Sequence, residues 1–301
     1  MTVAGTVDPA PAPGSGGAAA AASERAKARR ETRRLLLRKP GFVIGVVIVS
    51  VLIVCALFGQ WFVPYDPYND FSIPGHQPPS LEHYFGTDRL GRDVYSRVVV
   101  GARDVLLVAP PAALIGVVFG TLLGLIMGYF GGKIDEGMSR IVEAFLALPV
   151  ILVALLTLVV LGSSTLVVIG VVGILFTPIV ARTVRSAVLS ERQLDYVTAA
   201  KLRGESSLFI MVREIFPNIQ GPVVVEMTVR LGYAIFTVAT LSFLGVGIQP
   251  PSPDWGLQIS EEYTNMIGGI WWTTLFPAMA IAITVIAVNL IADALSSVLS
   301  E

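Results

Sequence analysis

Residues 41–65 read GFVIGVVIVSVLIVCALFGQWFVPY, a run without a single charged side chain. About 20 mostly apolar residues, each rising about 1.5 Å along a helix, cross the hydrocarbon core of a bilayer. This run therefore predicts a first transmembrane helix, which we bound at residues 40–65.

Four other regions of the chain have the same apolar character. Residues 105–129 and 263–292 contain no charged residue, and each predicts one span, the last starting near Trp271. Residues 144–181 are also uncharged but too long for one span. The Gly-Ser-Ser sequence at 162–164 interrupts them, so they predict two helices.

The fifth span is predicted over residues 219–244, where Glu226 and Arg230 interrupt the apolar run. All these runs are apolar on every face and longer than the ~10-residue alternating strands of a membrane barrel, so they predict helices. The expected fold is an all-α integral membrane protein with six transmembrane helices.

Glycines form a regular pattern within residues 105–129. Gly116, Gly120, Gly124 and Gly128 recur every four residues, which places them on one helix face. Small residues at this spacing let a second helix approach closely. The pattern predicts a tight helix–helix contact, although glycine is also simply common in membrane helices.

The composition of the chain excludes several classes of protein. Hydrophobic residues make up 54% of the 301 residues and charged residues 14%, against about 25% charged in a soluble domain. Cys55 is the single cysteine, and both histidines, His76 and His83, fall in one predicted loop. An intrachain disulfide is excluded, and neither a metal site nor a membrane-embedded catalytic site is expected.

The distribution of basic residues predicts the orientation. Arginine and lysine cluster at residues 29–39 before the first span, and basic residues stay on the cytoplasmic side. Residues 1–39 are then a cytoplasmic tail, disordered at first and basic at its end, which either lies on the inner leaflet as a helix or is solvated. Six spans place both termini inside, residues 66–104 outside and residues 185–218 inside.

The inner loop contains the sequence DYVTAAKLRG at residues 195–204. Its alanines favour a helix, and Gly204 suits the C-terminal end of that helix. A second helix from Ser206 should stop at Pro217. These two short helices predict either a compact cytoplasmic knob that receives a partner or an ordinary amphipathic connector.

This loop resembles the cytoplasmic motif of ABC importer permeases, which is Glu-Ala-Ala, three residues, Gly, and about ten residues to Ile-x-Pro. The chain matches the motif at Ala199, Ala200, Gly204, Ile215 and Pro217. It departs from the motif at Thr198, where the family usually has Glu. The resemblance implies that the loop docks on an ATPase subunit.

Tyr196 and Arg203 of the same loop also belong to the expected docking site. Four further segments resemble the C-type permeases of dipeptide, oligopeptide and nickel importers; they are FGTDRLGRD at 85–93, GYFGG at 128–132, LSFLG at 241–245 and QPPSP at 249–253.

The resemblance implies a type I ABC importer permease fold, with residues 105–300 as the core permease domain. It also implies a bacterial plasma membrane location and a channel subunit rather than an enzyme. The expected partners are a homologous second permease, one or two ABC ATPase subunits, an extracytoplasmic solute-binding protein and membrane lipid, with no nucleic acid. No Walker-type phosphate loop occurs in the sequence, so no cofactor is expected in this chain, and ATP and Mg would be bound by the ATPases.

Three questions stay open from the sequence. Glu226 and Arg230, four residues apart, form either a polar patch in the pathway or partner interface or a self-neutralised pair. The charged residues of the outer loop either dock the binding protein or form an internal ion-paired plug; they are Asp88, Arg89, Arg92 and Asp93. The expected solute is a peptide, and nickel or another small solute is the alternative. A secondary transporter is a more distant alternative to an ATP-driven importer.

Overall fold

The computed structural model describes residues 34–68 and 74–299. Within them the chain is helical, and the one β pairing is an isolated antiparallel bridge between Thr87 and Asp93. Most of the predicted N-terminal tail, residues 1–33, lies outside the described residues, whereas residues 34–38 are helical.

The helices in chain order are α1 (Pro40–Phe62), α2 (Val94–Phe130), α3 (Gly132–Leu146), α4 (Val150–Leu161), α5 (Thr165–Glu191), α6 (Asp195–Leu202), α7 (Ser207–Phe209), α8 (Phe216–Asn218), α9 (Gln220–Phe243), α10 (Trp255–Glu262) and α11 (Trp272–Leu299). A π-helical segment, Ile210–Ile215, joins α7 to α8, and a 3₁₀ segment, Tyr263–Gly268, follows α10. The predicted all-helical fold is confirmed.

Five of the described helices are long and apolar enough to cross a membrane; they are α1, α2, α5, α9 and α11. A sixth crossing is available if α3 and α4 form one span, bent by 83° at the break between them. Neither α3 nor α4 counts as a membrane span alone. The 12 residues of α4, for example, extend only about 18 Å.

The packing of α2 against α5 shows that the chain between these two helices must cross the membrane once more. A Cβ atom on Gly116 would lie 2.8 Å from the Cβ of Phe176, and one on Gly128 would lie 2.6 Å from the Cβ of Val188. The contacts advance in the same direction along both helices, so α2 and α5 are parallel. Two parallel spans require the intervening chain to recross the membrane, and α3 and α4 are the helices that lie between them.

Two boundaries differ from those expected from the charge-free runs. Helix α2 begins at Val94 rather than near residue 105, because Asp93 caps it by accepting a hydrogen bond from the Ser96 amide at 2.8 Å. Its first turns carry Arg97, whose charge is buried and bonded to the Pro67 carbonyl at 3.0 Å. The outer loop is therefore shorter than predicted, ending at Asp93.

The other difference concerns residues 144–181. The break at 162–164 is present, since Gly162 has a φ of +88° and Ser164 caps α5. The first predicted helix is divided, however, because Leu146 ends α3 and Pro149 directly precedes α4. Proline favours an extended residue before it and breaks helices, which explains the bend.

The molecule has two distinct ends. At the loop end, residues 74–93 and 244–271 cover the first turns of α2 and α11, and the Trp255 indole donates to the Val98 carbonyl at 2.8 Å. At the knob end, residues 192–219 extend beyond α2 and α5. Lys39 and Ser297 are hydrogen-bonded to each other, so the start of α1 and the end of α11 lie together.

Helix α1 fixes which end those two residues occupy. Gly45 of α1 lies against Ala287 of α11, and Gly59 lies against Val99 near the start of α2. Helix α1 therefore runs from the knob end to the loop end. The first and last described residues, 34 and 299, are therefore both at the knob end.

Candidate functional site

The knob, residues 192–219, is held to the membrane helices by an apolar core. Val197, Ala200 and Ile215 have no solvent exposure and belong to a buried cluster with Val184 and Val188 of α5. Of the predicted motif residues, Ala200 and Ile215 are therefore anchors rather than surface contacts.

Polar contacts add to this attachment at the C-terminal end of α2. The Arg192 guanidinium donates to the carbonyls of Gly128 at 3.0 Å and Tyr129 at 2.9 Å. The Lys201 ammonium lies 5.5 Å from the centre of the Tyr129 ring. Cations suit this position because the last carbonyls of a helix are unpaired and carry partial negative charge.

The first knob helix, α6, ends as its sequence predicts. Gly204 has a φ of +78°, and its amide donates to the Lys201 carbonyl at 3.0 Å. The amide of Glu205 donates to the Ala200 carbonyl at 3.3 Å. These two bonds form a Schellman cap, and glycine adopts the required left-handed conformation without steric cost.

The second half of the knob is helical from Ser207 to Asn218. Ser206 caps it by accepting from the Phe209 amide at 3.2 Å. The π-helical turns come directly before Pro217, whose nitrogen has no hydrogen to donate. The helix continues one residue past Pro217, so its stop is at Asn218.

Tyr196 connects the two halves of the knob. Its hydroxyl donates to the Glu191 carboxylate at 2.7 Å and accepts from the Asn218 amide at 3.2 Å. Burial, together with the bond to Glu191, raises the pKa of Tyr196 to about 12. The phenol therefore stays protonated and able to donate at physiological pH.

The outer surface of the knob is an exposed ridge that combines apolar and polar side chains. Leu202 is 85% exposed and Leu208 is 68% exposed. Arg203 lies beside them, with its guanidinium 3.2 Å from the Glu214 carboxylate. Of the predicted docking residues, Thr198, Ala199, Gly204 and Pro217 are also exposed.

Glu226 and Arg230 lie together on α9, as their spacing predicts. Glu226 Oε1 and Arg230 Nε are 2.9 Å apart, but the angles do not form a hydrogen bond, and both atoms are buried without one. The Arg230 guanidinium lies 4.8 Å from the centre of the Tyr233 ring and 5.9 Å from that of Phe176.

Three of the four charged residues singled out in the outer loop are buried at the loop end. Asp88 accepts from Arg92 Nε at 2.6 Å, and Arg92 Nη2 donates to Glu261 at 2.9 Å. Asp93 caps α2 and is bonded to His83 Nδ1 at 2.9 Å. Only the Arg89 side chain is exposed among the four. The geometry favours the internal ion-paired alternative over direct docking for the buried three.

The sequence analysis missed several members of this network. These members are Glu261, Glu262 and Arg97. Glu262 accepts from the Arg89 amide at 3.0 Å and lies 3.0 Å from His76 Nε2. The available signal was that residues 244–271 contain three acids and no basic residue, while four arginines fall within residues 89–103 of the other outer segment.

Comparison with known proteins agrees with this architecture. Residues 120–301 match the family described as binding-protein-dependent transport system inner membrane component. Residues 28–79 match the N-terminal transmembrane domain of oligopeptide transport permease C. The first match covers the last turns of α2 and every helix after it, including the knob.

Named relatives cover almost the whole chain. The chain is 42% identical over 256 residues, 85% of the chain and 84% of the relative, to the glutathione transport system permease protein GsiD of Escherichia coli O6:K15:H31. It is 38% identical over 261 residues, 85% of the chain and 80% of the relative, to the dipeptide transport system permease protein DppC of Bacillus subtilis. The chain therefore belongs to the family of binding-protein-dependent transport system inner membrane components, as a multi-pass membrane permease subunit.

Proposed function

We propose that this chain is the permease subunit of an ATP-driven importer of short peptides and forms half of its translocation pathway. The family membership supports the transport role, and the names of the relatives, which specify dipeptide and glutathione transport, support the peptide class. Nickel or another small solute is the alternative cargo.

The observation that carries the mechanism is the construction of the knob. Its anchors, Val197, Ala200 and Ile215, are fully buried in a cluster with residues of α5, while Leu202 and Leu208 are exposed apolar side chains. A surface held this way can receive force from a partner and pass it to the spans. In our proposal the partner is an ATPase subunit, and that subunit holds ATP and Mg; this chain holds no cofactor and catalyses no reaction.

Orientation and the remaining partners belong to the same proposal. The knob end carries Arg182, Arg185, Arg192, Lys201, Arg203 and Arg213. Basic loops stay in the cytoplasm, so the knob and both limits of the described chain are cytoplasmic and the membrane is the bacterial plasma membrane. A homologous second permease completes the pathway, and an extracytoplasmic binding protein delivers solute to the loop end.

The test uses the complete importer reconstituted in lipid vesicles. Leu202→Asp places a charge on the exposed ridge without disturbing the core, and it should abolish both ATPase co-purification and dipeptide uptake. Ile267→Asp is the matched control, because Ile267 is 95% exposed at the loop end; it should retain the ATPase. Uptake by the wild type without ATP, or ATPase retention by Leu202→Asp, would contradict the proposal.

A further inference from the structure

The knob end of α5 carries a polar face. Arg182, Thr183, Ser186 and Ser190 are exposed and recur at helical spacing. On another part of the same helix the exposed side chains are apolar, as with Ile174, which is 61% exposed. The polar residues line a groove of about 700 Å³ together with Pro222 of α9. These residues belong to the last turns of α5, so in the proposed orientation the groove opens to the cytoplasm at the knob end.

The groove face continues along α9 toward the membrane interior. Pro222 and Glu226 are one turn apart, and Arg230 and Tyr233 follow on the same side. Arg230 reaches across to Phe176 of α5. Because α9 runs opposite to α5, the groove opens at the knob end, and the Glu226–Arg230 pair lies one to two turns beyond Pro222 along α9.

One atom of each member of the pair lacks the hydrogen bond that its burial requires. Glu226 Oε1 and Arg230 Nε are close enough to attract each other, but neither forms a hydrogen bond within the described residues. A buried charge without hydrogen bonds is costly, and such groups usually have a partner in water, an ion or a ligand. Tyr233 stands beside them, 55% exposed, so the site is reachable from the surface of the chain.

We propose that the groove between α5 and α9 is part of the solute passage and that Glu226 and Arg230 bind the charged termini of a short peptide within it. A guanidinium pairs with a carboxylate through two parallel hydrogen bonds, which suits Arg230 to the peptide C-terminus. The Glu226 carboxylate is complementary to the peptide ammonium. This inference rests on the proposed function, because it names the contact through which that cargo is recognised inside the membrane.

The first experiment measures water access in the complete importer. After Cys55→Ser removes the one native thiol, Tyr233→Cys is compared with Ile283→Cys, an exposed position near the middle of α11. A charged, membrane-impermeant thiol reagent should label Tyr233→Cys at least about tenfold faster, and a dipeptide should slow that labelling. If both cysteines were labelled equally and negligibly in all nucleotide states, position 233 would face lipid or a dry subunit interface. That result would overturn the proposal.

The second experiment separates solute binding from a structural ion pair. Arg230→Gln and Glu226→Gln should each lower ATP-driven dipeptide uptake about tenfold, the effect of losing one charged hydrogen-bonded contact. The exchange Glu226→Arg with Arg230→Glu keeps an ion pair but reverses its polarity, so uptake should stay low. Recovery of uptake in the exchange variant would mean a structural role and refute the inference.

Assembly and wild-type controls distinguish a failure of this inference from a failure of the proposed function. Each variant must co-purify with the ATPase at the wild-type level, which excludes misfolding as the cause. Absence of ATP-driven dipeptide uptake in the wild type would refute the proposed function itself. Normal wild-type uptake with unchanged uptake in Arg230→Gln and Glu226→Gln would refute only the role of the pair.

Discussion

The guanidinium of Arg92 lies 2.9 Å from the carboxylate of Glu261, a residue 169 positions later in the chain. The same guanidinium is bonded to Asp88 at 2.6 Å, and all three side chains are largely buried. This contact joins the outer loop before α2 to the helix that precedes the last span. It makes the loop end one folded unit rather than two separate loops.

We predict that Arg92→Gln strongly destabilises the protein, because two buried carboxylates lose their directly bonded cation and keep only Arg97, which lies 3.8 Å from each. Breaking a buried ion pair typically costs about 3–5 kcal/mol. Arg89→Gln is the matched control, since the Arg89 side chain is exposed and it is the backbone amide that bonds Glu262. Thermal unfolding of the purified protein in detergent measures both, and equal midpoints would contradict the role of the network.

The glycine seam between α2 and α5 gives a second prediction. Gly124→Ala should lower stability by about 1–3 kcal/mol, the usual cost of overpacking, because its Cβ would lie 2.7 Å from the Val184 Cβ and 2.8 Å from the Ala181 carbonyl oxygen. Gly170→Ala on α5 has nothing within 4 Å of the added carbon and should not destabilise. The thermal midpoints of the two variants check this, and a similar loss in both would show that the seam is not tightly packed.

The cap of α6 gives a local prediction. Gly204→Ala forces a Cβ into the left-handed region at a cost of about 1–2 kcal/mol, without any clash. Amide hydrogen exchange over residues 195–206 should therefore accelerate roughly tenfold. Gly204→Asn should have a smaller effect, because asparagine tolerates this conformation, and Gly137→Ala should have none. Unchanged exchange in Gly204→Ala would argue against the cap.

Asp254 predicts a pH dependence of stability. Its burial raises the pKa of the carboxyl from 3.8 to about 6, so the folded protein binds this proton more tightly than the unfolded chain does. The free energy of unfolding should fall as the pH rises from about 4 to about 6 and should level off above that. The difference corresponds to about 3 kcal/mol at most.

Asp254→Asn isolates this effect, because asparagine also caps a helix and the wild-type side chain accepts from the Leu257 amide at 2.9 Å. Thermal midpoints of both proteins are measured between pH 4 and pH 8. The wild type should lose stability relative to the variant as the pH rises. Parallel curves would show that the carboxyl titrates normally.

The sequence predicted the helices whose residues are apolar throughout. The spans near residues 41–65, 219–244 and 263–292 are all present, and the break at 162–164 falls where glycine and serine interrupt the run. The predicted start of helix α2 was too late in the chain, because the first turns of the helix contain Arg97 and other charged residues. Their pairing with distant groups hides those charges, and no local pattern reveals such pairing.

The helices of the knob and the cap at Gly204 were predicted because their signals are local. Alanines, Gly204 and the capping Ser206 each act within a few residues. The side of the knob on which each motif residue lies was not predictable, since Ala199 and Ala200 are identical in sequence but opposite in exposure. The burial of Asp88, Arg92 and Asp93 depends on Glu261 and other residues far along the chain, so sequence reasoning left two alternatives open.

The length of α2 has a mechanical consequence. Its 37 residues extend about 55 Å, well beyond the ~30 Å hydrocarbon core. One end is clamped by Arg192 and the other is capped by Asp93. A tilt of about 5° over this length moves the far tip by about 5 Å, so α2 can act as a lever that transmits a displacement at the knob end to the loop end.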